Sequence, residues 1–354
     1  MKISLLFYFL GGGFLFVEKH LAFQPITTHF HPIEKIIGTT SLLSGWKKTP
    51  DTNPVNKIQN KIQSYTKWIR YKTIIPSCVL SFSGAWIIRP SLSTILQNSY
   101  FWASTLETVL ILMSSMMIND LFDMDADRWN HPDRPLVTGA ISLEEARIAI
   151  FTTSVLIELV NLLFFPSSLR LITRLSLFLV VIYTPILKKI PFVKNAFCGA
   201  LISFAPFFSG LAMTTRSKEL IALQPNFDLF AIWIQILFLG SLMNEMLLDI
   251  RDYEGDKRAR INTLPTLFGK NVVWIFSVCT AIINTWSSAL ALAYREKGTP
   301  VFLWIPVIFS GCFRHLLEIP KKKFSRTSII NTTDKTNQIF FFLMLFFCGL
   351  AAFR

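Results

Sequence analysis

The stretch FWASTLETVLILMSSMMINDLFDMDAD, residues 101–127, sets a membrane-length apolar run directly against a dense row of acids. Residues 101–119 approach the roughly 20 residues a helix needs to cross hydrocarbon. The nine residues that follow from Asn119 spell NDxxDxxxD. At about 100° per residue, Asp123, Asp127 and Asp120 fall about 40°, 80° and 100° from Asn119, one narrow stripe, while Asp125 points away. A span that ends in an aligned row of carboxylates predicts a polar site at the mouth of a helical bundle.

Working outward, further apolar segments lie near 73–89, 147–165, 169–187, 195–213, 228–248, 271–293, 301–318 and 336–353. With 101–119 they predict nine transmembrane helices and an all-α, polytopic membrane protein. The whole chain of 354 residues agrees: 52% is hydrophobic, only 16% is charged, and 33 residues are Phe. A net charge of +13 raises the question of nucleic acid. The basic residues stand in short connections between apolar runs, however, where they act as topology signals, so no nucleic-acid partner is expected. Alternation of the nine helices puts 21 Lys and Arg residues on the side where the first span begins and 7 on the other. The positive-inside rule turns the loaded side to the stroma or cytosol. Cys78, Cys198, Cys279, Cys312 and Cys348 sit in apolar stretches without metal spacing and read as buried, reduced and structural.

The end of the sixth helix carries a second acidic row, Glu245, Asp249, Asp252 and Asp256. Asp249, Asp252 and Asp256 lie about 40°, −20° and 20° from Glu245 if the helix continues past Gly255, and Glu254 faces away. Four crossings separate the two rows, so both belong to the loaded side and can face each other. A carboxylate at the centre of a span costs about 2.5–3.5 kcal/mol, less toward the interface, and clustered carboxylates repel. Divalent cations relieve both costs. Oxygen ligands without His or Cys favour Mg²⁺, which completes its octahedron with water and substrate phosphate oxygens. The metal-binding candidates are therefore Asn119, Asp120, Asp123, Asp127, Asp249, Asp252 and Asp256. Asp120 and Asp252 have a competing role, pairing with a neighbour such as Arg251. Arg134, Lys188, Lys189 and Lys194 lie in connections on the same side, and Arg70 at the entry to the first span. They are candidates to hold a diphosphate and stabilise it as a leaving group. Glu107 and Glu158 are mid-span carboxyls without an evident partner.

With these motifs in hand, residues 65–354 resemble the UbiA superfamily of intramembrane prenyltransferases. The likeness rests on Asn119 to Asp127 with His131-Pro132-Asp133-Arg134-Pro135-Leu136-Val137-Thr138-Gly139 after it. It extends to Tyr183-Thr184-Pro185-Ile186-Leu187-Lys188-Lys189 with Lys194-Asn195, and to Asp249–Asp256 followed by Ile261-Asn262-Thr263-Leu264-Pro265. Arg260, where the family often has Gly, and Glu245, where it has Asn or Asp, depart from the pattern. The resemblance implies a central cavity open sideways to lipid, and Mg²⁺ bridging an isoprenyl diphosphate to both motifs. It implies a prenyltransferase acting on an aromatic, quinone-precursor type or other lipophilic acceptor, with Asp123, Asp127, Asp249 and Asp256 as the principal catalytic metal ligands. A terpene cyclase on the same fold is the rival. A cation transporter fits less well, since its carboxylates belong at the midplane on broken helices.

Residues 1–23 read as a signal peptide, with an apolar core too short for a span, and 24–64 as a transit peptide rich in Ser, Thr, Lys and Asn. Leu21-Ala22-Phe23-Gln24-Pro25 at the junction resembles the bipartite plastid presequence of algae with complex plastids. The expected location is a plastid membrane with the acidic rows facing the stroma.

Overall fold

A computed structural model describes residues 54–215, 221, 224–258, 260–297 and 299–353. The expected signal peptide and the transit segment up to residue 53 lie outside the described residues. The first helix, α1 (Pro54–Trp68), straddles the boundary expected at 64 and 65. The rest of the described chain is helical: α2 (Ile74–Ile88), α3 (Leu92–Leu96), α4 (Ser99–Phe122), α5 (Met124–Asn130), α6 (Leu143–Phe164), α7 (Ser167–Tyr183), α8 (Val193–Thr214), α9 (Phe227–Arg258), α10 (Leu264–Phe268), α11 (Lys270–Arg295), α12 (Trp304–Lys321) and α13 (Arg326–Ala352).

Among the described residues eight helices are long and apolar enough to cross a membrane: α2 with the turn before it, α4, α6, α8, α9, α11, α12 and α13. The expected fourth crossing is α7, which at 17 residues is shorter than the 169–187 segment read from sequence. Pro185 accounts for the early stop: Thr184 keeps α geometry, but proline has no N–H to donate to the carbonyl four residues back. At 1.5 Å per residue α7 reaches about 25 Å, a little under the hydrocarbon thickness.

Local chemistry sets the helix starts. Asn98 caps α4 by accepting from the Tyr100 amide at 2.9 Å. Ser142 and Glu145 exchange side-chain and backbone hydrogen bonds as a capping box that starts α6. Ser325 caps α13.

The longest helix, α9, is the axis of the core. Its Trp233 is fully buried, donates through Nε1 to Ser83 Oγ of α2 at 3.0 Å, and packs against Phe347 of α13. Close approach of α2 and α8 depends on Gly84, where an added Cβ would stand 2.0 Å from the Pro206 carbonyl oxygen. Small residues bring membrane helices together in this way when the hydrophobic effect gives no preference between helix and lipid. The cysteines are all free thiols, as expected; Cys312 is buried, but Cys279 is exposed, because its position on α11 falls on an outward face.

Two features of α9 bear on the site. Its 32 residues span about 48 Å, far beyond the hydrocarbon, so its C-terminal turns stand clear of the apolar slab. The helix also runs through Gly255 to Arg258, which keeps Asp256 on the same face as Asp249.

Candidate functional site

The first acidic row forms where α4 ends and α5 begins. Asp123 is the junction residue, and its N–H bonds to the Asn119 carbonyl at 2.9 Å, so the helical path barely breaks and the stripe survives the change of helix. Asp120 and Asp127 are buried, Asp123 half-buried. Arg134, from the loop after α5, donates Nη1 to Asp120 Oδ1 at 2.7 Å and also to Asp127 Oδ2. Arg70 reaches the same Asp120 Oδ1 through Nη2 at 3.0 Å. It does so from a φ of 50°, a left-handed conformation few residues other than glycine adopt, which turns the chain from α1 toward the first span.

Burial is the main force on Asp127: it pushes the carboxyl above the usual carboxylate range, and the Arg134 guanidinium pulls it partly back. The nearby His131 imidazole is held below its ordinary range, first by burial and then by repulsion from Arg134. Asp133 lies on the exposed flank of this loop. Its hydrogen bond from Lys67 keeps it below the usual range.

The second row, on the last turns of α9, is organised from the first turn of α8 and the connection that leads into it. Lys194 donates Nζ to Asp249 Oδ1 at 2.5 Å, and the fully buried Asn195 donates to Asp249 Oδ2 at 2.8 Å. Both oxygens of this buried carboxylate are thereby occupied. Six residues earlier, Lys188 donates to Asp123 of the first row and, at 3.2 Å, to Asn119 Oδ1. One short stretch therefore touches both rows, and the two motifs occupy one mouth of the bundle.

Not every expected residue joins. Asp252 is turned to its neighbour Arg251, which holds it with two bonds at 2.6 and 2.8 Å. This realises the competing role read from sequence and leaves Asp252 outside the Lys194–Asp249 contact. Lys189 is exposed and, among the described residues, bonds to none of the acids. Asp256 is half-buried on the Asp249 face of α9. Asn195, read from sequence only as part of a motif, holds Asp249 directly. An amide one residue past a motif lysine was the available signal. Elsewhere, Glu158 pairs with Arg174 across α6 and α7, and Glu107 is fully buried in α4.

Among the described residues no trio of His, Cys, Asp and Glu converges as a preformed metal cluster, because Lys and Arg side chains stand between the carboxylates. The donor set is nonetheless one that suits Mg²⁺, all oxygen and mostly carboxylate. A cluster of alternating acids and bases is also chemically matched to an anion that arrives with its own divalent cation: the cation takes the carboxylates and the anion takes the bases.

Comparison with known proteins agrees with this geometry. The model of the UbiA prenyltransferase family matches residues 90–328. A digeranylgeranylglyceryl phosphate synthase of Sulfolobus acidocaldarius is 30% identical over 251 residues, covering 70% of this chain and 82% of the relative. Its Saccharolobus solfataricus counterpart is 27% identical over 216 residues, covering 60% and 71%. In solved structures, one concerned with digeranylgeranylglyceryl phosphate synthase in membranes superposes with a TM-score of 0.66 at 21% identity, over 83% of this chain and 99% of that one. A UbiA homolog from Archaeoglobus fulgidus bound to DMAPP and Mg²⁺ gives 0.56 at 18%, over 82% and 99%.

Proposed function

The chain belongs to the UbiA prenyltransferase family, and we propose that it transfers an isoprenyl group from an isoprenyl diphosphate to a lipophilic acceptor, with Mg²⁺ as cofactor. The observation that carries this reading is the pair of lysines in one short stretch, Lys188 at Asp123 and Lys194 at Asp249, which sets bases between two carboxylate rows.

In this reading Asp123, Asp127, Asp249 and Asp256 are the principal Mg²⁺ ligands, with Asn119 and Asp120 beside them. Mg²⁺ supplies charge neutralisation of the diphosphate as it leaves. Lys188, Lys194, Arg134 and Arg70 exchange their carboxylate partners for diphosphate oxygens. As the allylic C–O bond breaks, its electron pair passes to the ester oxygen on the α-phosphorus, which departs as a terminal oxygen of the diphosphate, and these cations stabilise the charge that develops there. Burial of Asp120, Asp127 and Asp249 keeps water away from the departing group and strengthens each of these interactions. The allylic cation is captured by the acceptor, which loses a proton. Asp252 and Lys189 have peripheral roles, one held by Arg251 and the other exposed.

The relatives are named for a product carrying two geranylgeranyl groups on glyceryl phosphate. This favours a prenylated glyceryl phosphate as acceptor and sets it beside the aromatic acceptors expected from sequence. The deciding experiment supplies membranes containing the protein with Mg²⁺ and labelled C10 to C45 prenyl diphosphates. It offers a prenylglyceryl phosphate, homogentisate, dihydroxynaphthoate, hydroxybenzoate and chlorophyllide in turn. Acceptor-dependent labelled product supports the transferase; a cyclic hydrocarbon formed without acceptor refutes it in favour of the cyclase. We also place the protein in a plastid membrane, directed by its N-terminal presequence and with the acidic rows toward the stroma; α1, bonded to the rest of the chain through Lys61 and Lys67, stays with the mature protein. A fluorescent fusion of that presequence that fails to enter plastids would refute the address.

A further inference from the structure

The N-terminal helix α1 contains three lysines, Lys57, Lys61 and Lys67, and no acid. Two stripes along it do different work. On one, Trp68 is buried against Met117, Leu136, Ile141 and Ala146. Beside it Lys61 Nζ donates to Glu145 Oε2 at 2.6 Å and to the Ala140 carbonyl at 3.0 Å, and Lys67 Nζ donates to both the side chain and the carbonyl of Asp133 at 2.7 Å. These bonds fasten α1 to both ends of the loop that supplies Arg134. About 60–120° around the helix from Lys61 and Trp68, Ile58 and Ile62, one turn apart, are 62% and 59% exposed.

At about 100° per residue the stripe of Ile58 and Ile62 continues through Tyr65 to Ile69. Tyr65 and Ile69 line a groove of about 430 Å³ whose other walls are Met113 and Met117 of α4 and Ile148 and Ala149 of α6. The stripe and groove are thus one apolar surface, and it meets the start of the first span, where Tyr71 and Ile75 are also exposed. Position and charge identify what covers it. A helix joined by a three-residue turn to a membrane span lies at the interface, and the end of the bundle that bears it carries 21 Lys and Arg residues against 7 on the other, which attracts anionic headgroups.

We propose that α1 is a membrane-surface strap. Its Ile58–Ile62 stripe and the adjoining groove dock on the hydrocarbon of an anionic bilayer leaflet, and its Lys61, Lys67 and Trp68 side chains hold the 131–142 loop so that Arg134 and Arg70 meet Asp120. Docking of α1 is then coupled to the diphosphate site through Lys61–Glu145 and Lys67–Asp133. Arg70, two residues past the end of α1, carries that coupling directly.

The test is hydrogen exchange on the full chain in vesicles of phosphatidylcholine alone and with about one third phosphatidylglycerol. The expected result is exchange of residues 54–70 about tenfold slower in the anionic vesicles, a difference erased by Ile58→Ser with Ile62→Ser while protection of α2 to α13 is unchanged. Equal exchange in both vesicles, a difference that persists in the double variant, or protection that follows protein concentration rather than lipid charge would overturn it. This readout does not depend on the catalytic reading. The coupling, which does rest on it, predicts a KM for prenyl diphosphate several-fold higher in neutral vesicles and in Lys67→Ala, with kcat little changed; an unmoved KM alongside responsive exchange would overturn the coupling.

Discussion

Lys188 and Lys194 stand six residues apart in a single short stretch yet engage different acidic rows, Lys188 at Asp123 of the first and Lys194 at Asp249 of the second. In the proposed site this sets one base beside each carboxylate row, and it gives each lysine a separable role.

Removing either lysine takes away a charge-assisted hydrogen bond to the diphosphate, worth about 1.5–3 kcal/mol. Lys188→Ala and Lys194→Ala are each expected to raise the KM for prenyl diphosphate about 10- to 100-fold. Steady-state kinetics in reconstituted vesicles check this. A KM within twofold of wild type for either variant removes that lysine from the site.

Arg134 holds two buried carboxylates, Asp120 and Asp127. Breaking a buried pair by removing one partner strands the other charge and costs about 3–5 kcal/mol. Arg134→Ala is therefore expected to unfold well below wild type in detergent, and Arg134→Ala with Asp127→Asn to recover part of the loss. Equal melting temperatures of the single variant and wild type would show that the pair carries no such strain.

His131 gives a pH dependence whose sign follows from its depressed titration. Between the lowered folded value and the ordinary value of 6.5, the unfolded chain binds more protons than the folded one. Stability therefore rises with pH through that window and is lost as pH falls back through it. Thermal unfolding between about pH 5 and pH 7 should show a steeper loss for wild type than for His131→Gln. Parallel curves would contradict the assignment.

Much of this arrangement was legible in the sequence, for a physical reason. Helical periodicity and span parity are global constraints, so the spacing of Asn119, Asp123 and Asp127 and four intervening crossings were enough to bring two rows to one end. Side-chain pairing is local and was not legible to the same degree. Nothing in the pattern distinguished Lys188, which reaches the first row, from Lys189 beside it, which is exposed. Asp252 and Asp249 are equally placed on an ideal helix, and only the reach of Arg251 separates them. The bond of Arg70 to Asp120, 50 residues away, and the clasp of Lys67 on Asp133, 66 residues away, are contacts that no local rule supplies.

The central claim is that carboxylates from two distant helices act together on one Mg²⁺-bound diphosphate. The most direct measurement is Mg²⁺-dependent binding and turnover of a labelled prenyl diphosphate by Asp123→Ala and Asp249→Ala, each confirmed to insert in the membrane. Loss of both binding and turnover in each variant is the expected result. Near wild-type Mg²⁺-dependent turnover in either one would contradict a shared site.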